Sequence, residues 1–149
     1  MLRVLTNLNL LNRQDFEAPA NVIASGVTGT WVKMETEALA FVGSAGDFAV
    51  GPIWTESYRD GSIGKWTPEV ATTDQLTLIW GKMRALTDQF SGTPAVGTPL
   101  RVRTDGKLEQ GTANSDYIVA YCTKASHSIQ HLGTSHTVFE FMSVLMEMT

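Results

Sequence analysis

Residues 100–104, Leu100-Arg101-Val102-Arg103-Thr104, alternate apolar and polar side chains, turn at Asp105-Gly106, and return as Lys107-Leu108-Glu109-Gln110. A period of two puts Leu100 and Val102 on one face and Arg101 and Arg103 on the other, the pattern of a strand with one face buried. Asp-Gly between two such runs signals a two-residue hairpin loop, because Gly accepts the positive φ that a tight turn requires. This stretch therefore commits the last third of the chain to β-structure. Residues 117–123 form a second run, apolar on both faces, and residues 137–145 a third. A strand apolar on both faces has to be covered on both sides, by a second sheet or by another subunit. Val138-Phe139-Glu140-Phe141 has strand composition, whereas Val144-Leu145-Met146-Glu147-Met148 also fits a helical turn.

Upstream, Leu2-Arg3-Val4-Leu5 is a short alternating run, residues 7–12 are Asn-rich and favour turns, and residues 13–21, with Pro19, follow neither period. Residues 1–24 read as an extended N-terminal arm with a short strand, and residues 25–149 as a single β-rich domain. Gly26, Thr28 and Gly29 mark a turn before a strand at 30–34. Further strands are expected at 38–42 and 48–54, Pro52 pointing to a bend or a sheet edge. Residues 58–68 are a loop, announced by Arg59-Asp60-Gly61-Ser62, with Trp66 packed back onto the body. Residues 72–92 fit two patterns. Leu76, Ile79, Met83, Leu86 and Phe90 recur at helical spacing, with a capping box at Thr72 and Gln75, yet Gln75-Leu76-Thr77-Leu78-Ile79-Trp80 alternates like a strand and Gly81 would cost a helix about 1 kcal/mol.

With 149 residues the chain is long enough for one domain that buries about two-thirds of its unfolded surface. No run reaches the ~20 apolar residues that cross a bilayer, and no secretory leader is expected at Met1-Leu2-Arg3-Val4. A net charge of −4 argues against a nucleic-acid surface, and Arg101 and Arg103 read as a solvated strand face. Few charges and much Thr, Ser and Gly suit strands, turns and self-association.

Reactive chemistry is sparse. Cys122, the single cysteine, lies in an apolar run and reads as a small buried side chain, not a catalytic thiolate. His127, His131 and His136 are expected on a polar loop, without a companion Cys, with no nearby carboxylate apart from Glu140, and without the spacing of a zinc site. Gly26 and Gly29 mark a turn, and Gly61, Gly64 and Lys65 lack both the spacing and the hydroxyl of a P-loop. No Gly-x-Ser-x-Gly elbow is present. Glu35, Glu37, Glu56 and Asp60 could pair as carboxylates but read as solvated. No catalytic, cofactor-binding or metal-binding residue is assigned, and no cofactor is expected.

The run Gly97-Thr98-Pro99-Leu100-Arg101-Val102, then Thr104-Asp105-Gly106-Lys107-Leu108, then Tyr117-Ile118-Val119-Ala120-Tyr121-Cys122-Thr123-Lys124, resembles the pattern of small capsid decoration (cement) proteins of tailed bacteriophages. The stretch from Leu78 to Phe90 is similar to the strand that precedes this hairpin, and the resemblance favours a strand, a break at Gly81 and a second strand over a helix. It spans about the last half of the chain. It implies an all-β barrel or sandwich, a homo-oligomer such as a trimer, no enzymatic activity, and binding to the major capsid protein on the outside of the virion after synthesis in the host cytoplasm. No direct nucleic-acid or membrane partner is implied. Trp31, Trp54 and Trp66 are the anchor candidates for such an interface, with Trp31 and Trp54 more readily placed in the core. Two alternatives fit the composition: a tail or head–tail connector component, and a small β-barrel enzyme or ligand binder.

Overall fold

A computed structural model describes residues 1–6, 11–19, 21–22, 28–54, 75–131 and 133–144. The architecture is all-β, with two sheets in a sandwich-like arrangement. Its strands are β1 (Leu2–Val4), β2 (Asn12–Glu17), β3 (Trp31–Glu35), β4 (Ala38–Ala40), β5 (Gly51–Pro52), β6 (Gln75–Trp80), β7 (Arg84–Thr87), β8 (Pro99–Val102), β9 (Leu108–Gln110), β10 (Ala120–His131) and β11 (Thr134–Ser143). One sheet has the order β1-β7-β11-β10-β8-β9 and the other β5-β3-β4-β2-β6. The barrel alternative is corrected: closure requires first and last strands to pair, and β1 and β9 stay at opposite edges of the six-stranded sheet.

Within residues 1–24, expected as an extended arm, the described residues supply one strand to each sheet. Leu2 to Val4 pair with β7, and Asn12 to Glu17 pair antiparallel with β6. Residues 13–21, which follow neither period in the sequence, thus include most of strand β2. Its side chains are mostly exposed on both faces, so no apolar alternation marks it in the sequence.

Residues 75–87 follow the strand reading. Gly81, at φ +119°, carries the chain from one sheet to the other. The helical spacing of Leu76, Ile79, Met83 and Leu86 arises because two strands of different sheets are joined across Gly81-Lys82. Ser143 ties this crossover to β11, accepting from the Met83 N–H at 2.8 Å and donating to the Gly81 carbonyl at 2.7 Å.

The inter-sheet core joins Trp31 and Ile79 of one sheet to Ala85, Leu100, Val102, Cys122, Phe139 and Phe141 of the other. Trp31 meets Phe141 edge-on at 5.9 Å, and Phe139 lies 4.9 Å from Phe90. Alternate residues of the five-stranded sheet, Val32, Leu39, Leu76 and Leu78, bury a second cluster with Val22 and Ile53. β3 and β6 are thus apolar on both faces because both faces are covered. On β11 the same need is met by Met1 and Leu86, which cover Val138.

The β8–β9 hairpin departs from the expected two-residue loop. Val102 pairs with Leu108, the Gly106 N–H donates to the Arg103 carbonyl at 2.9 Å, and the Arg103 N–H donates to the Lys107 carbonyl at 2.9 Å. The loop is Thr104-Asp105-Gly106, a type I turn closed by a glycine bulge with φ +79°.

Candidate interaction surface

The pleat that sends Cys122, Phe141 and Ala85 into the core sends their neighbours to the outer face of the six-stranded sheet. Register sets Pro99, Tyr121, Met142 and Arg84 side by side across four strands. The next outer row is Lys124, Glu140, Leu86 and Arg3. Tyr121 is 43% exposed and Met142 38%, a cross-strand apolar pair on a face that also carries Arg84, Lys124, Glu140 and Arg3.

Ion pairs flank that pair on both sides. Glu140 is buried although it belongs to the outer face: Arg84 Nε donates to its carboxylate, and Thr123 Oγ1 donates to it at 3.0 Å. The Arg84 hydrogen bond holds the Glu140 carboxyl below its usual range, against the opposing effect of desolvation. On the other flank Arg101 donates to Glu109 and to Asp116, each at 3.0 Å. Asp116 also accepts from the Thr112 N–H at 2.7 Å, which chiefly lowers its pKa. Arg103 donates to Ser91 at 2.8 Å and lies 3.4 Å from Asp105. The two arginines expected as a solvated face are thus held by neighbouring carboxylates and a hydroxyl.

A second exposed apolar pair, Phe48 and Tyr117, stacks edge-to-face at 5.0 Å. Of the tryptophans proposed as anchors, Trp31 is buried. Trp54 is half-buried against the core, with the Arg13 guanidinium 5.9 Å from its ring centre beside an open groove formed with Gln14, Asp15 and Thr77. Trp66 lies outside the described residues.

The remaining candidates separate. Cys122 is buried, and desolvation raises its pKa. Glu35 pairs with Lys33 at 3.3 Å, and Glu37 occupies the exposed β3–β4 turn. Glu56, Asp60, Gly26, Gly61, Gly64 and Lys65 lie outside the described residues. The loop assignment for the histidines is corrected: His127 and His131 belong to β10 and His136 to β11. Pairing of Ile129 with His136 and of His131 with Thr134 puts all three imidazoles on one face of the ribbon, an alternation hidden among small polar residues. Among the described residues, no group of three or more His, Cys, Asp or Glu side chains is placed to hold a metal ion, and no helix is long and apolar enough to cross a membrane.

Tyr121 and Met142 were not singled out in the sequence. Their signal is the pairing of two runs with each other, which a single run does not disclose. No protein-family model matches the chain, and no curated protein matches it significantly.

Proposed function

We propose that the protein is a non-enzymatic bacteriophage virion component that binds the outer surface of the capsid, clamps neighbouring major capsid proteins and acts as a homo-oligomer. The observation that carries this reading is the exposed pair Tyr121 and Met142, in register with the half-buried Pro99 and flanked by ion pairs. It lies on the segment whose sequence resembles capsid decoration proteins. Interface hot spots favour Trp, Tyr and Arg, and aromatic residues and Met are enriched in interfaces whose rim is polar. Modest contacts repeated over a shell lattice add up where one copy alone would bind weakly.

The test is addition of the purified protein to empty tailed-phage shells that lack a decoration protein. Saturable binding at a fixed ratio to the capsid protein, with a rise in shell melting temperature, supports the reading. No binding to any shell, or closure of the protein into a ring of its own, favours a connector or tail component instead.

A further inference from the structure

We propose that His131 and His136 form a two-imidazole surface site for a borderline divalent cation of the zinc, nickel or copper(II) class, with His136 oriented by Asp88. The two rings lie on one face of the β10–β11 ribbon in diagonal cross-strand positions, 6.2 Å apart and nearly perpendicular. A metal–nitrogen bond of about 2.0–2.1 Å, with the ring radius added, places each ring centre roughly 3.2 Å from a shared ion. Two rings on one ion then stand about 4.5–5.3 Å apart at the angles of roughly 90–110° found in square-planar and tetrahedral coordination. The observed 6.2 Å is about 1 Å longer, so the two side chains close by about that much when an ion binds.

A second observation points the same way. Asp88 Oδ2 lies 3.5 Å from Nδ1 of His136, and Asp88 Oδ1 accepts from Gln89 Nε2 at 2.8 Å. A carboxylate facing Nδ1 favours the tautomer whose Nε2 is bare and basic, the arrangement that supports ligating histidines. Both histidines are only partly buried, so water can fill the remaining coordination positions. His127 lies on the same face, but its Nδ1 is within hydrogen-bond distance of the Ala125 carbonyl, at 2.9 Å, beside the irregular pairing between Lys124 and His127. It is assigned no ligand role. The site is independent of the capsid reading.

Zinc chloride titrated calorimetrically into the chelator-treated full chain at pH 7.5 tests the proposal. One ion per chain is expected. His131→Gln or His136→Gln should each weaken binding about tenfold or more, Asp88→Asn by about tenfold, and His127→Gln should leave it unchanged. Copper(II) electron paramagnetic resonance supplies a readout that loss of stability does not imitate: coupling to two imidazole nitrogens, reduced to one in either ligand variant. Absence of saturable binding, binding that survives the His131→Gln/His136→Gln double substitution, or equal dependence on His127 overturns the assignment.

Discussion

The backbone N–H of Trp31 donates to the carbonyl of Gly106 at 2.8 Å, fastening the turn of the β8–β9 hairpin in one sheet to the first residue of β3 in the other. The contact needs a glycine twice over. Gly106 has φ +79°, and a Cβ there would meet Thr30 Cγ2 at 2.3 Å and the Trp31 carbonyl oxygen at 2.9 Å. Gly106→Ala combines left-handed backbone strain with overpacking and should cost about 2–4 kcal/mol. Urea unfolding measures this as a lowered midpoint with an unchanged slope.

The β3–β4 hairpin holds the opposite opportunity. Glu35 pairs with Ala38 across a two-residue loop, and both loop residues have positive φ, Thr36 at 50° and Glu37 at 68°. Such a turn favours Asn-Gly, and a β-branched residue there is strained. Replacing the pair with Thr36→Asn and Glu37→Gly should stabilise the protein by about 1–2 kcal/mol, read from the same urea curves. Neither side chain lies in the core, so the six-stranded sheet should be untouched.

Glu140 gives the fold an acid-sensitive contact. Its hydrogen bond from Arg84 lowers its folded-state pKa, so the ionised form contributes stability that is complete above its unfolded value of about 4.3 and is lost as pH falls through the lower folded value. Arg84 is about half exposed, and solvent screening reduces the contribution of the pair. Glu140→Gln should cost about 1–2 kcal/mol at pH 7. The gap from the unsubstituted protein should close as pH drops below about 4. Thermal melts from pH 3 to 7 check both the size and the direction.

Much of the fold was legible where one strand carries its own signal. The alternation at Leu100 and Val102 locates β8 without knowledge of its partners, whereas residues 75–87 carry a helical spacing as well, and the resemblance decided for β6, a break at Gly81 and β7. β2 was not legible, because its polar side chains, Asn12 to Asp15, face solvent on both sides, and it is backbone pairing with β6 and β4 that makes it a strand. The hairpin loop was one residue longer than Asp-Gly suggests, because docking of Gly106 on Trp31 selects the bulged turn. The surface row was the least legible part. Tyr121 and Met142 become neighbours only when β10 and β11 pair, and that register depends on bulges after Cys122 and Lys124. The histidines were misplaced for the same reason: their shared face belongs to a hairpin, not to either run alone.

The most direct test of the proposed capsid contact is hydroxyl-radical footprinting of the free and shell-bound protein, followed by mass spectrometry. Tyr121 and Met142 both carry oxidisable side chains and are both exposed in the single chain. The capsid reading predicts that oxidation of both falls at least about fivefold on shells, the loss expected of side chains buried at the centre of an interface. Met83, already in the core, should be equally protected in the two states. Unchanged oxidation of Tyr121 and Met142 on protein that is bound to shells would contradict the assignment of this face as the contact surface.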